Sequence, residues 1–210
     1  DVYKRQELTL GSLFDGSGTM PLAAVMCGAT PVWASEVEPY PIAVTKTHLP
    51  NVRHLGNVSA IDGGKIEPVD IFTFGSPCQD LSIAGHRKGL KGQKSSLFWE
   101  AIRIASEMLA ATGGKYPRFV IWMILKLSST NCCTLPGQTS LFDSTESGGG
   151  FAGYGEVAYR VVDAKYWGVP QRRKRVYAVA DTGGESANEI LFDRKSDEWN
   201  FRPRLPAGKA

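Results

Sequence analysis

Short apolar runs alternate with segments of helical periodicity along the first 122 residues. The runs are rich in Val, Ile and Phe and end in turn residues, which is typical of strands buried on both faces. The pattern predicts strands over 8–14, 31–38, 69–74 and 118–122, and helices over 19–28, 40–49 and 95–111. In the last helix the residues expected to face the core are Leu97, Ala101, Ile104 and Leu109. Because strands and helices alternate, we predict an α/β fold with a largely parallel sheet.

The pattern changes after residue 122. Residues 123–153 are rich in Ser, Thr and Gly and show neither helical nor strand periodicity, so we expect an irregular or disrupted segment. Order returns over 156–181, which predicts a strand, a turn at residues 168–170 and a second strand. We therefore predict one domain over 7–181, followed by a polar tail over 182–210.

Composition narrows the class of protein. Hydrophobic residues make up 42% and charged residues 21%, as in ordinary globular domains, and no apolar run approaches the length of a membrane-spanning helix. The four cysteines form no C-x-x-C pair, so we expect neither a disulfide framework nor a metal site. The net charge of +3 is too small to indicate a nucleic-acid partner by itself. We expect a cytoplasmic monomer without a membrane partner.

The segment FDGSG, residues 14–18, follows the first predicted strand and precedes the first helix. Glycines let a backbone approach a ligand closely, and Glu36 at the end of the second strand could accept hydrogen bonds from ribose hydroxyls. Asp15 would repel a pyrophosphate, which favours a ligand with a cationic or amino-acid end, such as S-adenosylmethionine. The alternative is a plain tight turn beside a solvated Glu36.

Cys78 stands in GSPCQDLSIAG, directly after the predicted strand 69–74. Ligands of open α/β sheets bind beyond the carboxyl ends of the strands, where a thiolate can act as a nucleophile. Pro77 restrains the backbone just before the cysteine. A free cysteine is also a common buried filler, and the residues alone leave both interpretations open.

Four cations follow Gln171 in the segment GVPQRRKRVY, residues 168–177. In a strand, Arg173 and Arg175 would lie on one face, and Arg172 and Lys174 on the other. Guanidinium groups that face a pocket can bind a carbonyl oxygen or a carboxylate. The alternative is a solvated edge strand protected by its charges.

In this order and spacing, the segments resemble the DNA (cytosine-5) methyltransferases of prokaryotes and phages. FDGSG is similar to the family's S-adenosylmethionine motif, SEVE to its ribose-binding acid motif and GNVSAID to its third motif. GSPCQDLSIAG is similar to the Pro-Cys nucleophile motif, and GVPQRRKRVY to the Gln-Arg-x-Arg motif. The resemblance implies a Rossmann-like methyltransferase fold, C-terminally incomplete here, that uses S-adenosylmethionine. It also implies that the partner is DNA and that a flipped cytosine is methylated at carbon 5, as in restriction-modification systems.

The resemblance also assigns roles to single residues. Cys78 would attack carbon 6 of the cytosine, Arg175 would hold its carbonyl oxygen and Arg173 would order the pocket. Asn57 stands where the family usually has an acid that meets the adenine amino group. The expected cofactor contacts are Phe14, Asp15, Gly16, Gly18, Glu36, Val37, Asn57 and Pro77, and the expected substrate contacts are Gln79, Ser82 and Gln171.

Residue 123 departs from the family pattern. After a strand such as RFVIW the family has Glu-Asn-Val, whose glutamate holds and protonates ring nitrogen 3 of the cytosine, but this sequence reads Met123-Ile124-Leu125. We therefore expect a methyltransferase of impaired activity. Two alternatives remain: a non-catalytic remnant that binds S-adenosylmethionine or a partner, and a tRNA cytosine methyltransferase, since the Pro-Cys and Arg-x-Arg motifs leave the sugar unread.

Overall fold

The structure, a computed structural model, describes residues 7–75, 96–125 and 155–192. The strands of these ranges form one sheet in the order β3-β2-β1-β4-β5-β7-β6. Strands β1 to β5 are mutually parallel, while β7 runs antiparallel to both β5 and β6. This arrangement confirms the predicted α/β fold with a largely parallel sheet. The strand bounds are β1 Thr9–Leu13, β2 Thr30–Ser35, β3 Arg53–His54, β4 Ile71–Phe74, β5 Phe119–Leu125, β6 Glu156–Asp163 and β7 Lys174–Asp181.

Helices connect the parallel strands. Helix α1 (Thr19–Met26) joins β1 to β2, α2 (Pro39–His48) joins β2 to β3, and α3 (Ser96–Ala111) precedes β5. The short helix α4 (Ala187–Leu191) follows β7. Its Ala187 is buried against Ala158 of β6 and Val179 of β7.

The core is aromatic around the middle of the sheet. Trp122 of β5 stacks on Phe74 of β4, with ring centroids 6.1 Å apart, and also meets Phe98 of α3 at 4.7 Å. Phe72 and Trp33 extend this cluster to β2. Because such strands are covered on both faces, their sequences are continuous apolar runs.

Five local features differ from the sequence prediction. Strand β2 ends at Ser35, and the two-residue strand β3 was not predicted. Strand β5 runs to Leu125, three residues into the segment that we expected to be irregular. On α3, Ala101 and Ile104 are fully buried as expected, whereas Leu97 and Leu109 are only partly buried. Residues 187–191, which we assigned to a polar tail, form α4.

The strand order reverses between β1 and β4. From β1 the chain moves through β2 to β3 on one side, and from β4 it moves to β5 on the other. At such a point the connections leave in opposite directions and open a crevice beyond the carboxyl ends of the strands. In the part of the chain that the structure describes, no helix has the length and apolarity needed to span a membrane.

Candidate functional site

The FDGSG turn lies at this crevice. Phe14, directly after β1, adopts a left-handed backbone with φ 56°, which is a costly conformation for a residue other than glycine. Gly16 and Gly18 follow with φ 57° and 80°, where glycine carries no such cost. The turn is closed by hydrogen bonds from the Gly18 N–H to the Asp15 carbonyl (3.2 Å) and from the Asp15 N–H to the Ser35 carbonyl (3.2 Å). The sequence therefore builds a tight turn that exposes backbone at the strand ends.

The Glu36 carboxylate joins the turn after β1 to the turn after β2. Its Oε2 accepts a hydrogen bond from the Gly16 N–H at 2.8 Å. Its Oε1 accepts bonds from the N–H groups of Val37 and Glu38 at 2.7 and 3.1 Å. The half-buried acid is thus held in place by backbone donors, while Val37 is 59% exposed beside it. The solvated-acid alternative does not describe Glu36 in this structure.

Asp15 is a buried carboxylate with unused hydrogen-bonding capacity. Its Oδ1 accepts a bond from the Ser12 hydroxyl at 2.9 Å, whereas Oδ2 is buried and has no partner among the residues that the structure describes. The pKa of Asp15 is raised to about 6, mainly by burial and to a lesser extent by the nearby Glu36 charge, against the lowering effect of the Ser12 bond. A group with a positive charge would relieve this unfavourable burial.

Asn57 lies beyond the end of β3. Its Oδ1 accepts a bond from the Ser59 N–H at 3.0 Å and so caps the single 3₁₀ turn Val58–Ala60. The preceding Gly56 carbonyl accepts a bond from the Ser35 hydroxyl at 2.6 Å. The side chain of Asn57 is exposed at the same edge of the sheet as Glu36.

The end of β4 meets β5 at Met123. The Gly75 N–H donates to the Leu13 carbonyl at 3.5 Å, which holds the end of β4 beside the end of β1. A Cβ atom on Gly75 would lie 3.3 Å from Cε of Met123. The thioether at residue 123 therefore lies next to the strand end that leads toward Cys78. The predicted residues Pro77, Cys78, Gln79 and Ser82 lie outside the described residues.

Arg173 and Arg175 line a cavity of about 650 Å³ beside β7. Arg175 pairs with Leu125 in the sheet, so both arginines reach the carboxyl end of β5. Met123, Trp167 and Met20 also line this cavity. Arg173 and Arg175 line this cavity together, but β7 begins only at Lys174, so Arg173 precedes the strand in which we expected both residues. Gln171 is exposed and is not among the lining residues; its N–H donates to the Val169 carbonyl at 2.8 Å.

Sequence reasoning missed Asp163, the last residue of β6. Its Oδ1 accepts bonds from the N–H groups of Arg173 (3.1 Å) and Lys165 (3.4 Å), so the carboxylate closes the loop that carries the arginine motif. An aspartate directly before a short helical turn is a capping signal, and it was available in the sequence. Ser12 was missed as well, because its bond to Asp15 has no local signature. Among the described residues, no group of three or more His, Cys, Asp or Glu side chains could hold a metal ion.

Comparison with known sequences adds a family likeness. The family model for the C-5 cytosine-specific DNA methylase matches residues 8–111. The chain is 30% identical over 240 residues to the DNA N-6-adenine-methyltransferase of Escherichia phage P1, which covers 95% of this chain and 32% of that protein. It is 29% identical to the orphan methyltransferase M.SPRI of Bacillus phage SPR (93% and 40% covered) and to the type II methyltransferase M.HhaI of Haemophilus parahaemolyticus (80% and 47% covered). The chain thus spans about a third to a half of these relatives' length.

Solved structures show the same fold. An Escherichia coli prophage protein assigned as a DNA modification methyltransferase superposes with a TM-score of 0.60 at 19% identity, over 83% of this chain and 47% of its own. The Dnmt2 methyltransferase of S. pombe superposes with a TM-score of 0.60 at 11% identity, over 97% and 61%. At these identities the likeness concerns the Rossmann-like fold alone.

Proposed function

The chain belongs, through residues 8–111, to the C-5 cytosine-specific DNA methylase family, and from this premise we propose that it binds S-adenosylmethionine and is built for methyl transfer to carbon 5 of cytosine in DNA. The observation that carries the proposal is a convergence at one edge of the sheet. The FDGSG turn, Glu36 and Asn57 lie at the ends of β1, β2 and β3, and the arginine motif lies at the end of β5. These are the segments whose motifs resemble the family.

The residues at the end of β1 fit a cofactor that carries positive charge. S-adenosylmethionine supplies a methyl group on a sulfonium and also carries an ammonium group. The orphaned, buried Oδ2 of Asp15 offers a counter-charge for that end of the molecule. Glu36 accepts three N–H bonds, and a carboxylate has about four acceptor positions, so one remains for a ribose hydroxyl. Val37 is exposed and could contact the adenine.

The chemistry assigned to Cys78 explains why this family needs a thiol. The thiolate would add to carbon 6 of the flipped cytosine, which makes carbon 5 nucleophilic. After carbon 5 has gained the methyl group and lost its proton, the carbon–sulfur bond would break and release the thiolate. Arg175 would bind the cytosine carbonyl oxygen, and Arg173 would support the pocket from the same cavity.

Met123 favours a second candidate function. Met123 lines the cavity together with both arginines and lies next to the end of β4. The family has at this position the glutamate that protonates the cytosine ring. A thioether is a weak acceptor and carries no proton, so it cannot make carbon 6 electrophilic. We therefore propose that the chain methylates DNA poorly, and that cofactor binding without methyl transfer is the alternative.

The test measures covalent capture. The chain is incubated with labelled S-adenosylmethionine and duplex DNA that contains 5-fluorocytosine, which traps the adduct because carbon 5 has no proton to lose. We expect little adduct from the native sequence and a marked increase after Met123→Glu, Ile124→Asn and Leu125→Val are combined. The same assay is repeated with the C-terminal half of a relative joined to the chain.

Controls separate the alternatives. Cys78→Ser should abolish the adduct in the restored protein while cofactor binding persists. Methyl transfer to tRNA instead of duplex DNA, or to adenine instead of cytosine, would replace the proposed substrate. Cofactor binding without any Cys78-dependent adduct, even in the restored and extended protein, would leave only the binding function.

A further inference from the structure

Arg103 on α3 forms a dense set of hydrogen bonds with the segment that follows β3. Its Nη1 donates to the Ile61 carbonyl at 3.0 Å, and its Nη2 donates to the Val58 carbonyl at 3.2 Å. The same guanidinium pairs with Glu107 at 2.8 Å and with Glu100 at 2.7 Å. The two acids fix the plane of the guanidinium, so its remaining donors point at the two carbonyl oxygens.

A second contact ties the same segment to α3. The Gly63 N–H donates to Oε2 of Glu107 at 2.7 Å. Gly63 also packs so closely on the helix that a Cβ atom there would lie 2.1 Å from the Ile104 carbonyl oxygen. Residues 58–63 are therefore bound to α3 at three backbone positions, although the bonded residues lie 42 to 45 positions apart in sequence.

The other end of this segment carries Asn57. Its side-chain oxygen caps the 3₁₀ turn whose Val58 carbonyl is bound by Arg103. Ser35, at the end of β2, holds the Gly56 carbonyl just before it. Asn57 thus lies between two attachments, one to β2 through Ser35 and one to α3 through Arg103. Of these two attachments, only the one to α3 involves a charged side chain.

We infer that Arg103 is a positioning residue, which holds the Asn57–Ala60 turn as the adenine-side wall of the cofactor site. The inference rests on the proposed cofactor site, but it concerns a residue that lies outside that site. The half-buried carboxylates of Glu100 and Glu107 would be enough to neutralise Arg103, yet its guanidinium also donates to two backbone carbonyls of the segment that follows β3. If Arg103 served only to form ion pairs within α3, the two bonds to carbonyl oxygens would have no explanation.

The test replaces Arg103 by lysine, which keeps the charge but cannot bind both carbonyls and both acids at once. Amide hydrogen exchange is measured at Ser59, Ala60, Ile61 and Gly63, where we expect at least tenfold faster exchange with no change in β1 and β4. Calorimetry then compares S-adenosylhomocysteine with the analogue whose purine lacks the 6-amino group. We expect the native preference for the adenine compound to fall at least threefold in Arg103→Lys.

A matched control is Lys65→Gln, which removes an exposed cation and its ion pair with Asp62 from the same segment without touching a carbonyl. It should leave exchange and base preference unchanged. If Arg103→Lys does not fold, Glu107→Gln breaks the same clamp from the other side and is measured in the same two ways.

The outcomes distinguish the two claims. Unchanged exchange, or an equal loss of affinity for both compounds, would overturn the positioning role and leave the cofactor site standing. A native chain that binds neither compound would overturn the proposed cofactor site itself, and a native chain that binds both equally would show that this wall does not read adenine.

Discussion

Asp15→Asn should change stability and cofactor binding in opposite directions. Asp15 is 5% exposed, and its pKa rises from the ordinary 3.8 to about 6, first because burial disfavours the charged form. The folded protein therefore holds a proton that the unfolded chain has already lost between about pH 4 and pH 6. Stability due to this group is present below pH 3.8 and is lost as the pH rises through 6.

The size of the loss follows from the two pKa values. At about 1.4 kcal/mol per pH unit, the interval from 3.8 to about 6 corresponds to about 3 kcal/mol above pH 7. Roughly 1 kcal/mol of this develops between pH 5 and pH 7. Asparagine carries no charge at any pH, so the difference in unfolding free energy between variant and native protein should grow by that amount over the same interval. Any effect of the asparagine side chain that does not depend on pH cancels in this comparison.

The pH dependence of cofactor binding should have the opposite sign to that of stability. If the cationic end of the cofactor pairs with ionised Asp15, native affinity for S-adenosylhomocysteine should be about tenfold weaker at pH 5 than at pH 7.5, because only about a tenth of the carboxyl is ionised. The asparagine variant should bind more weakly at pH 7.5 and show no such dependence. The assays are urea unfolding and calorimetry across pH 5 to 7.5.

The control is Asp62→Asn. The hydrogen bond with Lys65 lowers the pKa of the exposed Asp62 below its ordinary 3.8, so any stability it contributes is lost only as the pH falls below that value. Between pH 5 and pH 7.5, Asp62→Asn should therefore show no pH trend in the stability difference from the native protein. An Asp15→Asn variant whose stability follows the native pH curve would show that the carboxyl is not strained by burial. Equal affinity of both proteins at pH 7.5 would show that Asp15 does not hold the cation.

Two further substitutions test the supporting geometry by urea unfolding. Gly18→Ala should destabilise the fold by roughly 1–2 kcal/mol because of its left-handed backbone, and by a further amount because the new Cβ would lie 3.0 Å from Thr45. A Cβ at Gly16 would meet no other described residue within 4 Å, so Gly16→Ala should show the backbone cost alone. Equal losses in the two variants would exclude the Thr45 contact as a cause. Asp163→Ala should lower the free energy of unfolding by about 1–3 kcal/mol, because the Arg173 N–H loses its acceptor. Asp163→Asn keeps an acceptor oxygen and should retain most of the stability. If the asparagine variant loses as much stability as the alanine variant, the charge matters more than the hydrogen bond.

The sequence was a good guide to the fold wherever the signal is local. Buried parallel strands are apolar runs and α3 is amphipathic, so their existence follows from periodicity alone. Strand β3 has only two residues and therefore no period to detect. The extension of β5 to Leu125 depends on pairing with Arg175, fifty residues away, which no window of neighbouring residues can show.

The site divides in the same way. FDGSG, Glu36 and the arginine motif were each ambiguous in the sequence, and the topology of the sheet brings them to one edge. The bond between Glu36 and Gly16 is visible only in three dimensions, as is the orphaned oxygen of Asp15. Arg103 shows the limit most clearly: its spacing from Glu107 predicts an ordinary helical ion pair, and nothing local indicates that its other donors hold a distant turn.

Met123 shows why the fold does not depend on the glutamate that the family resemblance predicts at this position. Its backbone pairs with Tyr177 in the antiparallel ladder, and this pairing makes no demand on the side chain. Its thioether packs beside Gly75 and lines a cavity whose wall includes Ile121 and Val179, surroundings that suit an apolar group. A glutamate in the same place would have to place a carboxylate in that wall, and only the neighbouring arginines could compensate for the cost. Packing therefore does not favour the glutamate that the family resemblance predicts at residue 123, and the sheet, the turn after β1 and the arginine motif form without it.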